Sequence, residues 1–290
     1  MSPLHGTLAL FRGFLTESAR SKASLFWTLA FPLLFLFVFG AVFGGGRPEG
    51  VSSLMPGLLT INVMTGSLFG VAFRMIVARE NGVLRRLRVT PVTALSIVVA
   101  YGLVALALLV ATFVLQLGTA KAIWRIPIAG PMASLAVVAL AGFFAFVPLG
   151  LFVGSAARDM RTAPPLANLI FFPMMFLSGA AVPYAILPPW LQTAGRLLPA
   201  TWLVEALQGV IVRNDPLGHL SGPLGVLVLT GLVGVFMNAL LFRWESDEKV
   251  DVKKLALALG TLAAFLLLVA FLAPPVGMRN VGWGGPVLSR

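Results

Sequence analysis

A chain of 290 residues that is 59% hydrophobic and 11% charged, with a mean hydropathy of +0.97, is far more apolar than a globular domain, in which about 25% of residues are charged. This composition predicts an integral membrane protein, and the net charge of +11, scattered over short loops rather than gathered on one face, argues against a nucleic-acid partner. With no cysteine and two distant histidines, His5 and His219, the chain excludes disulfides, thiolate metal sites and clustered imidazole ligands, so no metal or cofactor is expected.

Ser2 and Pro3 suit the start of a helix, and Leu4, Leu8, Phe11 and Leu15 then share one face. Residues 1–22 are therefore expected to lie in the membrane interface as an uncleaved helix. Apolar runs follow at 24–43, 54–73, 92–117, 131–155 and 164–182, none with a charged residue. A run of about 20 such residues crosses the ~30 Å hydrocarbon core, so these are five expected spans. The pattern then breaks. Pro183, Pro188, Pro189 and Pro199 interrupt residues 183–199, and the apolar stretch after Thr201 is about a dozen residues long and carries Glu205. That is too short to cross, so residues 183–213 are expected to dip in and return as a re-entrant external hairpin. A sixth span is expected at 222–242, a charged linker at 243–254 and a seventh span at 255–273. With the N-terminus in the cytoplasm, lysines and arginines divide two to one in favour of the cytoplasmic side, as the positive-inside rule requires.

Between the second and third runs lies a basic island, residues 74–91, with Arg74, Arg79, Arg85, Arg86 and Arg88. Val83, Leu84 and Leu87 fall on one helical face and the arginines on the rest, and Pro91 closes the segment. Two readings stand: an anchor against anionic lipid, or a docking helix for a soluble partner.

Polar groups inside the spans are neutral. Asn62, Thr65 and Phe69 share a face at helical spacing, as do Asn168, Phe172, Met175 and Phe176. Such faces can line a path for amphipathic molecules, or they can be packing surfaces whose amides hydrogen-bond between helices. No G-x-x-x-x-G-K-[ST] phosphate loop, H-E-x-x-H or G-x-S-x-G motif occurs, so enzymatic chemistry, ATP hydrolysis included, is expected elsewhere than in this chain.

Three stretches carry a family resemblance. Residues 31–44, rich in Phe and Leu and ending in Gly44, look like the first span of the permease subunits of type-2 ABC transporters, in the branch of drug and antibiotic exporters. Residues 79–91, with Glu80, Gly82, Leu84, Leu87, Thr90 and Pro91, are similar to the segment that follows its second span, and residues 176–207, with Pro183, Trp190, Pro199 and Glu205, to its signature before the last span. The resemblance covers residues 1–245 and implies an all-α transmembrane domain of six spans. Residues 1–22 would be its connecting helix, 78–91 its coupling helix, and 183–213 re-entrant helices closing the outer end, with Pro183 and Glu205 at the external gate. Arg79, Glu80, Leu84 and Leu87 would contact a separate ATPase subunit. Two permease copies, alike or different, would assemble in a bacterial cytoplasmic membrane, N-termini inside, with the Asn62 and Asn168 faces on the substrate path. Residues 246–290 depart from the pattern by adding a linker and a seventh helix, facing either lipid or a partner. Lipid-linked glycan export and simple anchoring of a soluble protein are the alternative functions.

Overall fold

The structure, a computed structural model, describes residues 3–45, 47–83, 94–241 and 252–272, and these contain helices and no strand. Helix α1 (Pro3–Arg20) leads into α2 (Lys22–Leu25), a π turn (Phe26–Ala30) and α3 (Phe31–Val42), which together make one apolar rod. Next come α4 (Pro48–Met64), a second π turn (Thr65–Phe69) and α5 (Gly70–Glu80), again continuous. The long helices α6 (Ala94–Trp124) and α7 (Met132–Ala156) follow, then α8 (Ala163–Leu177), the short α9 (Pro189–Gly195) and α10 (Pro199–Gln208), a third π turn (Gly209–Arg213), α11 (Ser221–Leu241) and α12 (Val252–Leu272).

Four helices among the described residues are long and apolar enough to cross a membrane: Pro48–Glu80, Ser96–Trp124, Met132–Ala156 and Leu217–Leu240. They coincide with the second, third, fourth and sixth expected spans. The apolar helices Phe26–Val42, Ala163–Leu177 and Gly260–Phe271, in the first, fifth and seventh runs, are shorter. The second helix exceeds its apolar run at both ends, because Pro48 and Glu49 suit a helix N-terminus and Arg74 to Glu80 continue the helix in spite of their charge.

Helix α10 holds the centre. Every residue of Pro199–Leu207 is buried, and Trp202, Leu203 and Leu207 are among the largest fully buried side chains. At 10 residues, about 15 Å, it cannot cross a bilayer. It packs instead against α4, α7, α8 and α11, and the main apolar cluster joins it to Leu36, Met55, Leu59, Phe113, Phe146 and Leu227. Helix α7 also packs along α11 and the second π turn. There Gly150 is required, since a Cβ on it would lie 2.2 Å from the carbonyl oxygen of Ser67.

Interruptions in the helices are met by polar side chains from neighbours. Pro32 cannot donate to the carbonyl of Thr28, and the Thr112 hydroxyl of α6 lies 3.0 Å from it instead, sharing its one proton between Thr28 O and Leu108 O of its own helix at 2.8 Å. One turn later on α6, Gln116 Nε2 donates to the Pro32 carbonyl at 2.8 Å. The second π turn follows from local competition: the Thr65 hydroxyl donates back to Ile61 O at 2.7 Å, and the Gly70 N–H reaches five residues back to Thr65 O.

Helix α1 packs along α6. The contact face includes Leu10 and Phe14, which sit on Ile97 and Tyr101, and the rings of Phe14 and Tyr101 stack with centroids 4.4 Å apart. Leu8, on the expected membrane face, is exposed. The C-terminal α12 packs on α11 and buries Phe265 and Val269, while Leu257, Leu267 and Phe271 remain exposed.

Candidate functional site

At one end of the bundle, the last turn of α5 holds the loop between α7 and α8. Asn81 and Gly82 end α5, Gly82 with φ +67°, a conformation that suits glycine, and a helix resumes at Val83. Residues 78–80 thus belong to the long second helix. Leu84 and Leu87 lie outside the described residues.

The Arg79 guanidinium donates through Nη2 to the carbonyls of Ala157 and Arg158, the latter at 3.1 Å. Glu80 Oε1 accepts the N–H of Met160 at 3.0 Å, though the residue is otherwise exposed. The loop is braced from within as well. Asp159 Oδ1 accepts from the N–H groups of Arg161 (3.1 Å) and Thr162 (2.9 Å) and from the Thr162 hydroxyl (2.9 Å), while Thr162 Oγ1 accepts from the N–H groups of Arg158 and Asp159. These hydrogen bonds, led by the Thr162 N–H, hold the Asp159 carboxyl below the usual carboxylate range. Arg158 and Arg161 are left exposed. Met160 is tucked against Ile76, Ala157 and Ala163, which closes the loop onto α5.

The two faces expected to line a path separate in the structure. Asn62 is buried, and its Nδ2 donates to Gln116 Oε1 of α6, which in turn bonds Pro32 O. Thr65 spends its hydroxyl on its own helix. Phe69, past the π turn, meets Phe171 of α8 edge to face at 5.3 Å, and Phe171 continues to Phe172 (5.7 Å) and Phe176 (6.3 Å from Phe172). An aromatic ladder therefore joins the second helix to α8 through Phe171, a residue the sequence reading did not single out. Leu169, Phe172 and Phe176 are exposed on α8, with Asn168 and Met175 half-buried beside them. Asn62→Leu is expected to lower thermal stability by about 1–3 kcal/mol, since Gln116 loses its buried partner. The midpoint of unfolding in detergent micelles checks this, and an unchanged midpoint would show that the pair contributes nothing.

At the opposite end, Glu205 on α10 is buried, and its Oε1 pairs with Arg213 Nη2 at 2.9 Å, while Arg213 Nε pairs with Asp215 Oδ2 at 2.7 Å. Asn214 between them is left-handed (φ +58°), which lets the Asp215 N–H reach back to Gly209 O at 2.9 Å. Pro183 is half-buried and opens a short 3-10 turn (Tyr184–Ile186), from which the Tyr184 hydroxyl donates to Gln192 O of α9. Burial pushes the Tyr184 phenol above its usual range. Pro183 and Glu205 thus belong to the same connected end, but the charge partners of Glu205 escaped the sequence reading. An acidic residue in an apolar stretch followed eight residues later by Arg213 was the available signal.

No group of three or more metal-ligating side chains occurs among the described residues. Residues 6–212, a stretch that takes in both ends of the bundle, match the ABC-2 type transporter family. The chain is 30% identical over 187 residues to the inner membrane transport permease YhhJ of Escherichia coli (strain K12), covering 63% of this chain and 47% of that one. It is 29% identical over 243 residues to nodulation protein J of Rhizobium meliloti (strain 1021), covering 80% and 90%. With the probable multidrug ABC transporter permease YbhR of E. coli (strain K12) it shares 29% over 196 residues, covering 67% and 52%. The match thus spans about half the length of YhhJ and YbhR, but nearly all of nodulation protein J. A multi-pass helical chain matched over residues 6–212 belongs to the ABC-2 type transporter family, as a membrane component of transport.

Proposed function

We propose that the chain is the permease subunit of an ATP-driven exporter in the bacterial cytoplasmic membrane, moving amphipathic small molecules outward with energy from a separate ATPase subunit. The match over residues 6–212 carries this reading, because it takes in the basic island and nearly all of the hairpin as well as the first five expected spans. Two of the three shorter apolar rods complete it: the rod ending in α3 is the first of six spans and α8 the fifth, with the long α11 the sixth, the third short rod, in α12, an addition, and α9–α10 the re-entrant external hairpin. The N-terminus and the Arg79 end face the cytoplasm, where the arginines of the island belong. Arg79, Glu80, Leu84 and Leu87 belong to the coupling segment. Two copies of the permease, or this chain and a homologue, enclose the path, and the exposed α8 face with Phe172, Met175 and Phe176 lines it together with Asn168 and Phe69. Such polarizable and aromatic surfaces adapt to amphipathic guests of varied shape, drugs, antibiotics or lipids.

The test is purification from native membranes in mild detergent, with mass spectrometry of what accompanies the wild-type chain and the Leu84→Asp/Leu87→Asp variant. A subunit carrying a phosphate loop is expected with wild type and lost from the variant. Recovery of no such subunit, or equal recovery with both, overturns the coupling assignment.

A further inference from the structure

The cluster at the end opposite Arg79 is short of one positive charge and one hydrogen-bond donor. Glu205, Arg213 and Asp215 together carry one negative charge, and Glu205, 6% exposed, is the carboxylate that lies inside the bundle. Its Oε1 is taken by Arg213, while its Oε2 is buried without a hydrogen bond among the described residues. Three residues on along α10, Gln208 Oε1 is buried and unpartnered in the same way, and side chains at that spacing are neighbours on a helix. A proton on Glu205 Oε2 turns one of these two acceptors into a donor: the carboxyl O–H donates to Gln208 Oε1, both oxygens are satisfied and the cluster becomes neutral. We propose that Glu205 is a proton-binding site, and that its occupancy decides whether residues 213–215 are held on α10.

With the proton bound, Arg213 keeps Asp215 at 2.7 Å and loses its ionic tie to α10, leaving only a 3.4 Å approach to the Glu205 carbonyl. Residues 213–215 form an arm that ends the third π turn and reverses at the left-handed Asn214. Gly209 lets the arm fold close, since a Cβ there would lie 3.0 Å from Asp215 Oδ2 and 3.1 Å from Arg213 Nη2. The proton comes from water at the mouth of the cluster, where the Arg213 and Asp215 side chains are 24% and 26% exposed. That this water is external rests on the permease reading above.

Few other charges face the site. Of the elements packed against α10, helices α7, α8 and α11 carry no titratable residue, and α4 carries Glu49, exposed in its first turn. On the α9 side the Tyr184 phenol feels both Glu205 and Arg196. The segment 126–130, bonded to Ile211 O through the Ala129 N–H, is uncharged, and His219 is exposed beyond Asp215. Burial, the largest influence, pushes the Glu205 carboxyl above the usual carboxylate range, with Arg213 opposing and Asp215 adding to the rise. A carboxyl raised in this way holds its proton more tightly in the folded chain than in the unfolded one. Protonation therefore adds stability at low pH, and the gain is lost as pH rises through the raised value.

The test uses the full chain in detergent, in a His219→Gln background so that no imidazole at this end answers to pH. Infrared difference spectra between neutral and acidic buffer should show the carbonyl band of a buried carboxylic acid, titrating above the range of exposed carboxylates and missing from Glu205→Gln. Gln208→Leu, which removes the acceptor, should move the midpoint about one pH unit toward acid, the tenfold weight of one hydrogen bond. The cysteine-free chain also takes a single spin label at Leu217→Cys, exposed just past the arm. Acidification should mobilise this label, and Glu205→Gln should show the mobile spectrum at every pH. Absence of a band that Glu205→Gln removes overturns the proton site, and a band with no response of the label overturns the release of the arm. A Gln208→Leu midpoint that stays, or moves the other way because the amide donates to an ionised Glu205, overturns the pairing. None of these readouts needs transport, so failure to find an ATPase partner would remove the outward placement and leave the proton site standing.

Discussion

Arg213→Met is expected to lower stability by about 3 kcal/mol, the lower end of what breaking a buried ion pair costs. The lower end applies because the Arg213 side chain is 24% exposed, against 8% for Glu205. The effect arises from an asymmetry in the pairing. Arg213 has two acidic partners, Glu205 at 2.9 Å and Asp215 at 2.7 Å, whereas Glu205 has one cation, and its second oxygen is buried without a hydrogen bond among the described residues. Removing Arg213 strands a carboxylate in the apolar centre of α10. Removing the carboxylate by Glu205→Gln leaves Arg213 on Asp215, and should cost only about 1 kcal/mol. Tryptophan fluorescence during thermal unfolding in detergent, to which Trp202, buried on the same helix, contributes, should show the first variant melting well below the second. Equal midpoints for the two variants would mean that the cluster is not the electrostatic lock the geometry describes.

Gly150→Val is the second large effect. The Cβ of any residue there would lie 2.2 Å from Ser67 O and 3.1 Å from Leu68 O, and both obstacles are backbone, which cannot rotate away as a side chain can. Overpacking of this kind costs about 1–3 kcal/mol even where neighbours yield, and here the whole of α7 must move off the second π turn. The variant is expected to reach the membrane but to run as a broadened, aggregated species on size exclusion. A contrasting substitution, Gly102→Val, has no atom within 4 Å of its Cβ and should leave the profile intact. A sharp, native-like peak for Gly150→Val would show that the approach of α7 to the π turn is looser than these distances imply.

Four of the expected spans were legible because a charge-free apolar run is a composition signal and needs no knowledge of neighbours. The second, third, fourth and sixth runs matched long helices for this reason. Helix ends were less legible, since Pro48, Glu49 and the charged residues after Arg74 lie outside the apolar core yet continue the same helix. The shortness of the stretch after Thr201 could be read, but its position at the centre of the bundle could not, because burial on every side comes from α4, α7, α8 and α11. Single-helix spacing likewise put Asn62, Thr65 and Phe69 on one face. The π turn that starts at Thr65 alters that spacing, and Gln116, within a run that reads as plain apolar, takes up the Asn62 amide. Thr112 and Gln116, two polar residues one turn apart in that run, were the visible hint. Pro32, whose missing N–H leaves the Thr28 carbonyl in need of a donor, was its counterpart in the first run.

The turn at Thr65–Phe69 sets a phase as well as a spacing. A π turn accommodates one residue more than an α turn, so it acts as an angular gear between α4 and α5: each residue of an α-helix advances about 100° around the axis. Deleting a single residue between Thr65 and Phe69 would let the rod relax to an uninterrupted α-helix with everything after it still in phase, whereas the same deletion within α5 would swing the residues that follow by roughly that angle. Arg79 and Glu80 would then point away from Ala157, Arg158 and Met160, although neither they nor their partners had changed. The orientation of the Arg79 end is thus buffered against an indel at the π turn about three turns upstream, inside the bundle, but not against one within α5 itself.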